Sequence, residues 1–525
     1  PLLTASSPDV FKVMAMHRPP VFLGIFFPLL AVALVWFHCG TDHQAKAHSQ
    51  PAGASKQSVS FIKDVAPIFK DNCFACHDAK KKKGKLDLTT FENLRKGGSH
   101  DDPIETGKPG ESTLMDRLTQ TDSGRMPPKE AGPGLPKAKI DVIGQWIKEG
   151  AKLDAGLDPK ADLVRELRIR WQPPGPPAVY KFPVAVTALC FTPDHKALVV
   201  GGHHELTAWD IGTGKLICRM RTRAERAYAL AFAPDGKLIV AGGRPGQEGD
   251  VRIYKLDAKK EFIMDVGLYD GVNEKKTLLG QLLDCDDSVL ALALSANGKY
   301  LAAAGCDRLI RVWDVSAGVT AAKLQQSIAN HADWVNGLAF SPDGKYLLSA
   351  SRDNTAKIWD LAAKASVASF PGHQSPVHGV AMSVDGASAM SVGEDGALRI
   401  WQTTDKDKKL GQQLKVGKGG HTKAAFRLVV QSNAKKPLGA TCSADGTVKL
   451  WDLSAGAATR TLTGLTDFVY AVAFSSDGTL VAAGGWNGEV RIWEVASGQL
   501  VKGFNASPGL IVQPKGRFMP MLKNP

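Results

Sequence analysis

Gly337-Leu338-Ala339-Phe340-Ser341-Pro342-Asp343-Gly344-Lys345, followed by Tyr346-Leu347-Leu348-Ser349-Ala350-Ser351, then Asp353, then Ala356-Lys357-Ile358-Trp359-Asp360, is the stretch that decides the fold. It reads as a short apolar strand, a turn built on Asp343-Gly344, a returning strand, a second turn and a third strand that ends on Trp359-Asp360. Short apolar runs bounded by Asp, Gly and Asn are antiparallel hairpin signals.

The pattern recurs from about residue 182 to 505. Equivalent strand ends are Trp209-Asp210, Tyr254-Lys255, Trp313-Asp314, Trp359-Asp360, Trp401-Gln402, Trp451-Asp452 and Trp493-Glu494, seven copies in all. Their spacing is mostly near 40–45 residues, and the wider gap between Tyr254 and Trp313 puts an insertion at residues 257–286. These copies resemble WD40 repeats. The resemblance implies an all-β, seven-bladed propeller of four-stranded blades over residues 178–505.

It also implies a polar network in three blades, joining a His, a Ser or Thr, an Asp and the Trp N–H. The matching residues are His331, Ser349 and Asp353; His373, Ser391 and Asp395; and His421, Thr441 and Asp445. His203 and Asn487 stand where blades one and seven would carry the Asp, and Ala303 and Ala483 replace the hydroxyl in blades three and seven. Those three blades are expected to rely on packing alone. Residues 179–182 or residues 500–504 could supply the outer strand of the last blade.

Upstream, the chemistry concentrates in Cys73-Phe74-Ala75-Cys76-His77. C-x-x-C-H is the spacing of c-type haem attachment: two thiols add to the porphyrin and the adjacent imidazole reaches the iron. Zinc would need four ligands, and no second pair lies nearby. A thioredoxin-like pair would need a βαβ setting, which is missing. An iron that shuttles electrons wants a sixth ligand, and a thioether suits it. Met126 in Gly124-Arg125-Met126-Pro127-Pro128 is the candidate, in a loop stiffened by prolines. Met115 reads as core, and His100 is the runner-up ligand.

Residues 58–155 carry helical signals. Phe61, Val65, Ile68 and Phe69 form an apolar face, with Pro67 placed in a first turn. Ser112 can cap a short helix containing Leu114, Met115 and Leu118. Ile140, Ile143, Trp146 and Ile147 stripe a last helix ending before Gly150. This region resembles the planctomycete-type cytochrome c domain, a class I-like c-type cytochrome. The pieces that carry the resemblance are Asp64-Val65-Ala66-Pro67-Ile68-Phe69, the C-x-x-C-H run, Gly84-Lys85-Leu86-Asp87-Leu88, Gly97-Gly98, Pro109-Gly110, Ser112-Thr113-Leu114, Arg125-Met126-Pro127-Pro128 and Trp146-Ile147-Lys148-Glu149-Gly150-Ala151. It implies one covalent haem c on Cys73 and Cys76, with His77 and Met126 as axial ligands. The four-lysine run Lys80-Lys81-Lys82-Lys83 departs from the family pattern.

At the N-terminal side, residues 21–37 are nearly unbroken apolar sequence behind Lys12, His17 and Arg18. That length fits a signal-peptide core or a signal anchor. Ala45-Lys46-Ala47 offers a cleavage site. Cys39 lacks small residues before it, which argues against a lipoprotein. The expected organisation is a leader or anchor at 1–47, a tether at 48–57, the haem domain at 58–155, a Pro-rich linker at 156–177 containing Pro173-Pro174-Gly175-Pro176-Pro177, the propeller at 178–505 and a tail at 506–525. Export, to the periplasm or a membrane facing it, agrees with haem attachment outside the cytoplasm.

Net charge is +13 in 525 residues, with Lys and Arg spread along the chain. No basic helix or aromatic-interleaved basic motif argues for nucleic acid. The run 80–83 could steer an acidic redox partner. The remaining cysteines sit in strand-like stretches and are expected to be buried thiols. His203-His204 reads as ordinary turn residues rather than a metal pair. No Ser-His-Asp array, phosphate loop or paired glycosidase-like acids appear, so an electron-transfer haem protein is expected rather than an enzyme. The propeller is expected to bind a protein partner, with a haem-containing scaffold or sensor as the alternative function.

Overall fold

The computed structural model describes residues 58–99, 101–171, 173–256, 278–403, 410–431 and 438–510. The expected leader and tether, His100, residues 257–277 of the insertion and residues 511–525 of the tail lie outside the described residues.

The helical part begins at Ser60, whose Oγ accepts from Lys63 N and caps a wide turn over Phe61–Val65. Helix α1 (Ala66–Asn72) follows directly, with Pro67 in its first turn. Proline is harmless there because that N–H has no intrahelical partner. Helix α2 (Phe91–Lys96) is capped by Thr90 and stops at Gly97, whose φ of 76° few side chains tolerate. Helix α3 (Thr113–Thr119) lacks the expected side-chain cap: Ser112 Oγ instead donates to Lys108 O and accepts from Glu105 N. The hydroxyl secures the preceding loop, because that loop has its own amide to satisfy. Helix α4 (Lys137–Lys148) buries Ile143, Trp146 and Ile147, and Met115 of α3 packs on it at Gly144. The Trp146 ring lies 5.1 Å from that of Phe61, which also meets Phe91 at 5.0 Å.

A further helix, α5 (Leu163–Arg170), lies inside the span expected to be linker. Asp162 caps it, Leu163 N donates to Thr89 O, and its contacts run to α1 and the Phe61–Val65 turn. The sequence concealed it because four of its eight residues are charged.

From residue 189 onward the described residues form six antiparallel sheets, one of seven strands and five of four, each a meander of consecutive strands. Seven separate blades were expected. The difference arises at Leu216–Phe232, a single 17-residue strand. Its first half pairs with His203–Asp210 and its second half with Lys237–Arg244, and Arg226 takes part in both ladders. Residues 221–227 contain no Gly, Pro, Asn or Asp to turn the chain.

The other sheets follow one plan. The third-strand Trp pairs with an apolar or small residue of the second strand, as in Trp359 with Leu347 and Trp313 with Leu301. A bulge falls immediately before that Trp in the ladder to the fourth strand, at Val312/Trp313, Ile358/Trp359, Ile400/Trp401, Leu450/Trp451 and Ile492/Trp493. Such bulges increase the local twist. The first hairpin turn also repeats: Ser341 Oγ donates to Asp343 Oδ1 and accepts from Tyr346 N, and Ser383 with Asp385 and Ser475 with Asp477 do the same.

The last sheet takes Leu500–Asn505 as its outer strand, and residues 179–182 join no ladder. The first and last sheets meet without sharing a ladder. Val186 and Leu189 pack with Ala471, Ala482 and Val490, and Val186 N donates to Gly485 O. Gly484 is required at this seam, since a Cβ there would lie 2.2 Å from Val186 Cγ1. The innermost strands of all the sheets line one cavity of about 150 Å³.

Candidate functional site

Cys73, Cys76 and His77 come together because α1 ends on them. Cys73 N donates to Phe69 O, and Cys76 N and His77 N both donate to Cys73 O, which winds the motif into one tight turn. Both cysteines are free thiols. Burial, with Cys76 adding to it, pushes the Cys73 thiol up to about 12, so it is neutral at physiological pH. His77 Nδ1 is buried and has no hydrogen-bond partner among the described residues. Such an orphaned nitrogen costs about 1–3 kcal/mol, which a bound group could recover. Two unpaired thiols and an unsatisfied imidazole one turn apart fit the donor set of a covalently attached haem.

Met126 comes from a different loop. Its N–H donates to Arg117 O of α3, and 39% of the residue is exposed. The loop owes its shape to Arg125 as much as to its prolines: Arg125 Nε donates to Pro127 O and Nη2 to Gly132 O. Its hydrogen bonds therefore run to α3 and within the loop itself. Among the described residues no three His, Cys, Asp or Glu side chains gather at metal-binding distance, and no helix is long and apolar enough to cross a membrane.

The lysine run splits into two kinds. Lys81 Nζ donates to Ala75 O inside the 73–77 turn, and Lys82 Nζ lies 3.6 Å from the buried Asp87. Lys80 and Lys83 project from the same exposed segment.

Two of the three expected polar networks are complete. His331 lies 2.8 Å from Asp353 and 2.7 Å from Ser349, and Trp359 Nε1 donates to the same Ser349 Oγ. His421, Asp445, Thr441 and Trp451 repeat the arrangement. The third is broken. His373 and Trp401 both reach Ser391, but Asp395 pairs with Arg399 at 2.5 Å. The position two before the Trp decides this. Lys357 and Lys449 reach away to Asn330 and Thr461, whereas the guanidinium of Arg399 holds its Asp, as Arg311 holds Asp307. The expectation that blades one and seven rely on packing alone is also corrected. Trp209 Nε1 donates to Thr207 Oγ1, and Asn487 Nδ2 donates to Thr466 Oγ1.

His203 and His204 begin a strand rather than occupy a turn. His204 is buried, and burial together with neighbouring His203 pushes it down to about 4. It belongs to a junction that the sequence reading missed. Trp171, just past α5, sits against Arg244, Arg223 and His204. Arg223 and Arg244 both pair with buried Glu248, at 2.8 and 2.9 Å. Alongside, Arg219 pairs with buried Glu205 at 2.6 Å and donates to Pro177 O and Ala178 O, which fixes the end of the Pro-rich segment. The signal was the run of arginines at 219, 221, 223 and 226, unusual in a half-buried strand.

Comparison with known families fits this division. The planctomycete cytochrome C family model matches residues 73–130, and the WD domain, G-beta repeat model matches residues 275–314, 322–360, 364–402, 414–452 and 456–494. The chain is a fusion of a planctomycete cytochrome C segment with WD40 repeats. The cytochrome segment contains Cys73, Cys76, His77 and Met126. The WD40 matches cover the five four-stranded sheets except the last outer strand, Leu500–Asn505, and leave the merged seven-stranded sheet almost wholly unmatched. Curated relatives include the Caenorhabditis elegans transcription factor unc-37, 28% identical over 25% of this chain and 18% of its own. Apoptotic protease-activating factor 1 of Rattus norvegicus is 38% identical over 15% of this chain and 6% of its own. The small ribosomal subunit protein RACK1 of Glycine max is 41% identical over 11% and 19%. The chain thus spans less than a fifth of the length of each of these three relatives.

Proposed function

We propose that this protein is an exported single-electron carrier whose haem c is joined to Cys73 and Cys76, with His77 and Met126 as axial ligands. The observation that carries the proposal is the 73–77 turn: free thiols beside an imidazole whose Nδ1 is buried and unsatisfied, inside the cytochrome-matched segment. Bound haem would supply reversible one-electron chemistry. The chain's own residues would hold it, and the end of α1 sets the turn that gathers Cys73, Cys76 and His77.

In the same proposal the sheets form a seven-bladed propeller, with Leu216–Phe232 serving two blades at once, and residues 178–505 act as a docking scaffold for a protein partner. The WD40 matches support a protein-interaction role, since such scaffolds present broad rigid surfaces. Export is supported by the attachment chemistry of Cys73 and Cys76. Residues 1–47 serve as the leader or anchor, and residues 156–177 connect the two parts.

Expression of the full chain in cells that mature c-type cytochromes tests the assignment. Denatured protein keeps its Soret absorbance and gains the mass of one haem; Cys73→Ser/Cys76→Ser loses both. A denatured wild-type chain of unmodified mass would overturn it. The exposure of Met126 favours a second reading, a haem-based ligand sensor. Rapid carbon monoxide binding to the reduced protein selects it over the carrier.

A further inference from the structure

The cavity at the centre of the sheets contains one charged side chain that the cytochrome reading does not use. Arg427 comes from the innermost strand Ala425–Val430, and its half-buried side chain lies among the surrounding strands. The surface it retains opens into two spaces. One is the central cavity of about 150 Å³, and the other is a wider mouth of about 410 Å³ lined also by Tyr228, His378, Tyr470 and Trp486. Arg427 Nη1 donates to Asn336 O at 2.8 Å, and Nη2 to Tyr228 O at 2.9 Å and Leu290 O at 3.2 Å. These carbonyls lie on the innermost strands of other sheets and engage three of the five guanidinium donors.

Hydrogen bonds to carbonyls do not neutralise the charge. Among the described residues no carboxylate pairs with Arg427. The mouth carries a second cation, Arg226, and the nearest titratable groups do not supply Arg427 with a counter-charge. Burial pushes the Cys442 thiol up to about 12. Burial pulls His378 down, against the opposing pull of Glu394. Glu394 itself is engaged by His378 at 2.8 Å. Elsewhere the buried arginines of the sheets have carboxylate partners: Arg219 has Glu205, Arg244 has Glu248 and Arg252 has Asp250. A charge drawn partly out of water without a counter-charge is costly, and a guanidinium fork is shaped to recognise anions.

We infer that the central cavity binds one small monoanion, a halide or a carboxylate, on the donors of Arg427 left by the three carbonyls. The volume suits one such ion, and the mouth gives it a path from solvent. A bound anion adds stability through mass action, growing with the logarithm of its concentration.

The full chain is melted in sodium gluconate, whose anion is too bulky for the cavity. Gluconate is then replaced at constant ionic strength by chloride, bromide or acetate. A midpoint that climbs by a few degrees across a hundredfold rise in small anion is the expected result. Chloride and acetate arms separate halide from carboxylate. Arg427→Gln removes the dependence, and Arg427→Lys retains part of it. Crystals soaked in bromide show an anomalous peak beside the Arg427 guanidinium. Equal midpoints in gluconate and the small anions would overturn the proposal, as would an unchanged dependence in Arg427→Gln. Should that variant fail to fold, the wild-type series and the bromide position decide.

Discussion

The Arg244 guanidinium lies 3.5 Å from the centre of the Trp171 ring, and this contact ties the last helix of the helical part to the sheets. Arg223 flanks the same ring at 5.6 Å and donates to Trp171 O and Arg168 O. Arg168 reaches Asp286 across the junction at 2.5 Å. A desolvated cation–π contact contributes about 2 kcal/mol. Trp171→Ala should therefore speed hydrogen exchange of α5 by roughly thirtyfold while leaving the strands around Trp451 protected. Uniform acceleration across both parts would show global destabilisation instead of a released junction.

The broken network predicts a repair. With Arg399→Lys the shorter reach and single ammonium release Asp395, which can return to His373 as Asp353 does to His331. Burial, reinforced by Arg399, now pulls His373 down to about 4. In the variant its imidazole should titrate measurably higher by NMR. An unmoved His373 would mean that the backbone around Asp395, rather than the arginine, sets the break.

Acid should weaken the fold in two stages. His204 and His373 titrate near 4 in the folded chain and near 6.5 when unfolded. Between those values the unfolded chain binds more protons, so stability is complete above about pH 6.5 and falls towards pH 4, by up to about 1.4 kcal/mol per unit for each group. Below that the carboxylates contribute. Burial opposes ionisation of Asp445, but Thr447 and His421 outweigh it and hold the carboxyl down at about 2. Its stabilisation is lost as pH falls from its unfolded value towards 2. Replacing His373 with Gln should flatten the upper part of a plot of melting temperature against pH. A slope identical to wild type would contradict the assignment.

On the proposed haem site, Met126→Ala should retain the covalent cofactor but lower its midpoint potential, because thioether ligation raises it. Spectroelectrochemical titration reads this directly. An unaltered potential would place the sixth ligand elsewhere, with His100 the next candidate.

The two kinds of lysine give a further contrast. Charge reversal at Lys80 and Lys83 should slow electron exchange with an acidic partner, most strongly at low salt, without changing the melting temperature. Lys82→Ala should loosen the loop at Asp87 by no more than about 1 kcal/mol, the usual ceiling for an exposed ion pair. Equal kinetic effects from all the substitutions would dissolve the distinction.

Much of the architecture was legible because its signals are local. An Asp-Gly turn, a Trp at the third strand and a hydroxyl ten residues before it specify hairpins without reference to distant residues, and Ser349 and Trp359 meet as their spacing implies. The 73–77 turn was legible for the same reason. What escaped were choices between partners. Asp395 had two candidates, and Arg399 prevailed over His373 through the reach of its guanidinium. Ser112 had a helix and a loop to serve, and its hydroxyl went to the loop. α5 was hidden because a short charged helix that docks through Leu163 and Trp171 lacks an apolar stripe. The merged strand was hidden because only the absence of a turn residue marks it.

The seam at Val186 and Gly485 has a consequence for biosynthesis. Each sheet is a meander of consecutive strands, and among the described residues no strand is borrowed from the far end of the chain. Every sheet can therefore complete its ladders as it leaves the ribosome or a translocation channel, in the order in which it is made. Docking of Val186 and Leu189 against Ala482 and Val490, with the Val186 N to Gly485 O hydrogen bond, remains for the final moment.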